Sequence, residues 1–179
     1  NKIIPISYRP FDDQYIYYDK GIVDRLRDNV SKHLIHNNNF CLIVSRQCVS
    51  DWRYVFISTN IIESNLTGTA GRFGSGNFFP LYLYPEKTEQ QSLLNDNPRT
   101  PNLNMEIVNE IAEGLGLEFI PEKEEGNVCL ANDKEVRSEF RTTFAPIDLL
   151  DYIYAVLHSP TYRETYKEFL KIDFPRVPY

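Results

Sequence analysis

The rhythm of apolar and polar positions changes about half-way along the chain. Before residue 85 the apolar runs are short and rich in β-branched and aromatic residues; beyond it they recur with a helical period. Residues 2–8 and 14–18 read as strands separated by Pro10-Phe11-Asp12-Asp13. Between 22 and 35 the period lengthens. Ile22, Val23, Leu26, Val30 and Leu34 form one stripe, with Asp24, Arg25, Asp28 and Lys32 opposite, which predicts a helix stopped by Asn37-Asn38-Asn39. Residues 40–47 and 53–58 read as buried strands, 64–77 as a glycine-rich loop, 78–84 as a strand closed by Pro85, and 86–102 as a long polar loop. A helix is predicted over 104–115, with Gly114 and Gly116 as stop signals. Residues 121–141 are charged and read as irregular or a weak hairpin. Pro146 opens a helix to His158, and a second follows over 161–171.

Strands grouped first and helices grouped second predict an α+β fold rather than alternating βαβ units. The expected architecture is a mostly antiparallel curved sheet with one helix over 1–142. A helical segment over 143–179 packs on that sheet or on a domain further upstream.

Composition narrows the class. The 179 residues are 42% hydrophobic and 25% charged, an ordinary composition for a globular protein. No apolar run is long enough to span a bilayer and no secretory leader is apparent, so the expected setting is the cytoplasm with no membrane partner. Three cysteines without metal spacing fit a reducing compartment; Cys41 and Cys48 lie in apolar stretches and read as buried thiols. The first residue is Asn1 and the single methionine is Met105, which fits a piece of a longer chain. Net charge is −6, unfavourable for binding nucleic acid, but it is unevenly spread. Residues 1–85 hold nine Lys and Arg against seven Asp and Glu, and residues 86–179 hold ten against eighteen, so any DNA contact is expected in the first half.

Candidate chemistry is sparse. The loop Thr67-Gly68-Thr69-Ala70-Gly71-Arg72-Phe73-Gly74-Ser75-Gly76-Asn77 lacks the Gly-Lys-Ser/Thr of a phosphate loop, and a strand rather than a helix follows it. It reads either as a hairpin connection or as a DNA-facing loop. In the second reading, glycines allow close approach of backbone, and Arg72, Ser75 and Asn77 supply donors. Arg46-Gln47 ends one apolar strand and Trp52-Arg53 opens the next. Arg suits the paired acceptors of guanine and Gln the donor–acceptor edge of adenine. Surface salt bridging, for example Arg53 with Asp51, accounts for the same residues. Asp96-Asn97-Pro98-Arg99 falls short of the Asn/Asp-Pro-Pro-aromatic motif of adenine methyltransferases at both final positions and reads as a turn. His33, His36 and His158 form no metal set, and no catalytic constellation emerges.

Three blocks carry a resemblance. They are Tyr8-Arg9-Pro10-Phe11-Asp12, then Phe79-Pro80-Leu81-Tyr82-Leu83-Tyr84-Pro85, and above all Tyr152 to Tyr179, with its Ser159-Pro160 break and its closing Phe174-Pro175-Arg176-Val177-Pro178. In order and separation they resemble the C-terminal specificity region of Type ISP restriction–modification enzymes and related adenine-methylating restriction proteins. The resemblance implies a DNA target-recognition domain downstream of an adenine-N6 methyltransferase domain that uses S-adenosylmethionine. Its partners would be double-stranded DNA and that upstream domain, with no cofactor of its own. Arg46, Gln47, Arg53, Arg72, Ser75 and Asn77 would face the DNA. The family chain continues past residues 174–178, whereas this one stops at Tyr179. A rival reading is a structural or protein-interaction module without DNA contact, its acidic helical half outermost.

Overall fold

A computed structural model describes residues 2–24, 26–49, 51–68, 75–86, 99–123 and 142–179. It is α+β, with strands gathered early and helices late. Among the described residues the strands are shared among small sheets, two of three strands and two of two.

The chain opens with a hairpin. Strand β1 (Ile3–Arg9) pairs antiparallel with β2 (Asp12–Tyr17), in a register running from Ile3 opposite Tyr17 to Arg9 opposite Asp12. Phe11 makes the turn in the left-handed region, at φ 63°. The period-2 alternation sends Ile4, Ile6 and Ile16 inward and leaves Ile3, Tyr15 and Tyr17 outward.

Where a helix over 22–35 is expected, only α1 (Asp28–Ser31) forms, and residues 32–36 are turns. A continuous helix is broken at residues 26 and 27, where the backbone leaves the helical path. The Leu26 carbonyl accepts from the Tyr18 and Ser31 hydroxyls at 2.6 and 3.0 Å, and Arg27 sits left-handed at φ 50°. Ile22 is left exposed, while Leu34 reaches the core. The asparagine run does more than stop a helix. Buried Asn39 donates to the carbonyls of His33 and Tyr82 at 2.9 and 2.8 Å and accepts from the Tyr82 amide at 3.1 Å.

The central sheet is ordered β4-β3-β6, from β3 (Cys41–Ser45), β4 (Val55–Ser58) and β6 (Gly76–Pro80), all antiparallel. The continuous apolar run of β3 has a direct cause: both faces of the strand are covered. Cys41 and Ile43 face the hairpin side with Ile4, Leu34 and Ile61, the last in β5 (Ile61–Ile62), which pairs parallel to β1. Val44 faces the other way, into a cluster with Cys48, Trp52, Val55, Leu157, Tyr162 and Leu170. Gly76 sits close against this packing: a Cβ there would meet Ile62 Cδ1 at 3.1 Å, so Ile62 would have to shift by a few tenths of an ångström. The strand expected over 78–84 is interrupted at Leu81; beyond it β7 (Tyr82–Leu83) pairs with β8 (Thr100–Pro101).

The later helices follow their local signals. Helix α2 (Met105–Leu115) is capped by Asn104, whose side chain accepts from the Glu106 amide, and ends at left-handed Gly116. Strands β9 (Glu118–Phe119) and β10 (Thr143–Phe144) pair parallel. Helix α3 (Pro146–His158) has Pro at its start, and Asp148 accepts from the Ala145 amide at 2.9 Å. The helix expected over 161–171 is two: α4 (Pro160–Thr165) and α5 (Lys167–Leu170), broken at Tyr166. Tyr162 of α4 and Leu170 of α5 both enter the core with Leu157. The terminal segment returns over these helices: the Tyr162 and Tyr152 hydroxyls donate to the carbonyls of Arg176 and Pro178. Most of residues 121–141, and the turn at Asp96-Asn97-Pro98, lie outside the described residues.

Candidate nucleic-acid interface

Neighbouring strand ends build the site. Register pairs Val44 with Asn77 and Ser45 with Gly76, so the end of β3 and the start of β6 share one edge of the central sheet. Arg46 and Gln47 leave that edge on one strand, Ser75 and Asn77 on the other. Together with Cys48, Val49 and Lys171 they line an open hollow of about 470 Å³. Four side chains nominated by sequence thus converge, and their donors suit phosphate oxygens or base edges. Asn77 Nδ2 donates to the Ser75 carbonyl at 3.1 Å, which braces this turn. Gln47 is exposed.

Arg53 does not join them. Its guanidinium pairs with Asp51 at 3.0 Å, the salt bridge that competes with DNA contact in the sequence reading. Between the two sites Trp52 is buried, donating from Nε1 to the Ser45 carbonyl at 3.2 Å. Arg72 lies outside the described residues.

No local pattern points to what the C-terminal segment contributes. The Cys48 amide donates to the Lys171 carbonyl at 3.2 Å, tying the loop after β3 to the end of α5. Arg46 Nε donates to Asp173 Oδ1 at 3.1 Å, across 127 positions of sequence. Phe174 packs edge-on against Phe79 of β6 with ring centroids 5.5 Å apart, and the Arg46 guanidinium lies 6.0 Å from the Phe174 centroid. The Phe174 amide, and then Arg46, hold the Asp173 carboxyl below its ordinary range. Lys171 donates to Glu168 at 2.9 Å. The terminal block therefore lines the hollow as well as packing on the sheet.

Other polar clusters serve the fold. Arg99 forks onto both carboxylate oxygens of Glu122 at 2.7 Å and donates to the Asn38 carbonyl and the Tyr84 hydroxyl at 2.7 and 3.1 Å, its guanidinium 3.8 Å from the Tyr82 centroid. His33 Nδ1 accepts from the Tyr84 amide, and His158 lies between the Val55 carbonyl and Arg163. Among the described residues no group of His, Cys, Asp and Glu could hold a metal ion, and no helix is long and apolar enough to cross a membrane.

The family model of the Type ISP C-terminal specificity domain matches residues 1–179. The chain belongs to this family. Solved structures share the fold of this specificity domain at low identity. A DrdV–DNA complex matches at 21% identity and a TM-score of 0.66, with 99% of this chain and 14% of that chain covered. The ATP-dependent Type ISP restriction–modification enzyme LlaBIII bound to DNA matches at 22% and 0.65, with 99% and 9% covered. A nuclease-deletion mutant of the Type ISP enzyme LlaGI, with a DNA substrate mimic, matches at 21% and 0.60, with 99% and 12% covered. The specificity domain thus spans a small fraction of the chains it resembles. No curated protein matches it.

Proposed function

We propose that this specificity domain reads the target sequence in double-stranded DNA for a restriction–modification enzyme whose upstream part methylates adenine N6 with S-adenosylmethionine. The observation that carries this is the hollow at the β3–β6 edge, where Arg46, Gln47, Ser75, Asn77 and Lys171 converge. Family membership and the DNA-bound state of DrdV, LlaBIII and LlaGI support it. In this reading the chain itself performs no chemistry. The cofactor belongs to the upstream domain. That domain would also supply much of the phosphate neutralisation that a chain of net charge −6 lacks.

The test is made on the full-length enzyme. Sequencing that detects N6-methyladenine in DNA from cells expressing it should show one methylated motif. Gln47→Ala combined with Asn77→Ala should relax that motif while total methylation of a permissive substrate persists. A motif untouched by these changes removes the hollow from recognition. Absence of DNA binding by the full-length protein even at low salt favours the protein-docking module instead.

A further inference from the structure

We infer that Asp173 is a positioning residue, fixing Arg46 for end-on pairing with the major-groove edge of a guanine, so that one G·C pair is read by an ion pair assembled from two distant parts of the chain. The inference rests on the DNA-recognition reading above and makes it specific. Arg46 spends its Nε on Asp173 Oδ1 at 3.1 Å, which leaves the terminal amino groups as the fork that matches guanine O6 and N7.

Both partners are mounted on fixed backbone. Arg46 follows buried Ser45 at the end of β3, and Cys48, two residues on, is buried and tied to the Lys171 carbonyl. The Asp173 amide donates to the Phe169 carbonyl at 3.1 Å, and next to it Phe174 is seated against Phe79. An arginine held in this way loses less freedom on binding than a free one. Stability does not explain the pair. Its side chains are 63% and 53% exposed, and such ion pairs contribute little to folding.

Charge distinguishes guanine from phosphate as the ligand. The Asp173 carboxylate offsets the charge of Arg46 and would repel a phosphate brought to the same guanidinium. The neutral acceptors of guanine meet no such repulsion, and the donor fork remains. Adjacent Gln47, Ser75 and Asn77 are of residue types suited to base edges.

The experiment uses the full-length enzyme. Its target motif is first fixed with the wild type, and affinity is then measured for each single base-pair change at two salt concentrations. Arg46→Ala should lose the preference at one G·C pair by roughly 5- to 150-fold, the range of a bidentate base contact, with other positions unchanged. Asp173→Asn should weaken the preference at the same pair by a smaller factor, with the salt dependence unaltered. The double variant should be no worse there than Arg46→Ala. Melting temperatures should stay near the wild type; if a variant unfolds, Arg46→Lys, which keeps the charge and lacks the fork, should lose the same preference. The inference is overturned if Asp173→Asn changes no preference, or if Arg46→Ala weakens all sequences alike and lowers the salt slope by about one, as loss of a phosphate contact would. A wild type without any sequence preference would instead overturn the recognition reading itself.

Discussion

Leu157→Ala tests whether the sheet and the terminal helices fold as one unit. Leu157 is 1% exposed on α3 and packs in the cluster that joins Val44, Cys48, Trp52 and Val55 of the sheet region to Tyr162 and Leu170 of the last helices. The substitution removes three carbon groups, which at about 0.8 kcal/mol each gives a transfer loss of roughly 2.4 kcal/mol. The cavity left between a strand and two helices cannot collapse fully and adds about 1 kcal/mol. The expected destabilisation is about 3–4 kcal/mol, or a fall in Tm of about 6–16 °C for a domain of this size. Trp52, the single tryptophan, lies in the same cluster and provides the probe. Urea unfolding followed by Trp52 fluorescence should coincide with loss of far-UV helical signal, before and after the substitution. The hollow should weaken in parallel, because Lys171 and Asp173 follow directly from α5. A loss under about 1 kcal/mol, or fluorescence and helical signals that separate, would refute this reasoning.

Arg99→Ala should cost about 2–3 kcal/mol in urea unfolding and Arg99→Lys about half that, since Lys keeps charge but not the fork onto Glu122; the half-exposed Glu122 caps the estimate. A double-mutant cycle with Glu122→Gln should recover a coupling well above the few tenths of a kcal/mol of an ordinary surface pair. His33 titrates below its ordinary value, chiefly through burial, so the folded state disfavours its protonation. Its contribution to stability is therefore complete above about pH 6.5 and is lost as pH falls through its lower folded value; His33→Gln should flatten the pH dependence of Tm between pH 7.5 and 5. Burial pushes the Cys41 thiol up to about 12. In a variant with Cys48 and Cys129 replaced by Ser, a disulfide reagent at pH 8 should leave Cys41 untouched until denaturant is added.

Elements legible from sequence are those whose signals are local. Asn104 and Gly116 bound α2, and Pro146 and Ser159-Pro160 bound α3, because caps and prolines act within one turn. The helix expected from Ile22 is not continuous: an apolar stripe specifies a face to bury and does not fix the backbone at every position. At residues 26 and 27 the chain leaves the helical path, and the Leu26 carbonyl accepts from the Tyr18 and Ser31 hydroxyls. Residue type points to Arg46 and Gln47 at a strand end and to Ser75 and Asn77 in the glycine-rich loop, and antiparallel register brings them together. Arg53, at the start of the next strand, pairs with Asp51 and does not line the hollow.

The sequence by itself determined the class, the bounds of α2 and α3 and, through Tyr152–Tyr179 and its companion blocks, the family. These depend on periodicity, caps and ordered motifs, which are properties of neighbouring residues. Tertiary structure alone decided that the C-terminal segment completes the hollow. Pairing Arg46 with Asp173 joins residues 127 apart, and that closeness follows from packing Leu157, Tyr162 and Leu170 onto the face of β3 that holds Val44. No local pattern encodes such a contact, because it is a consequence of which faces are buried together.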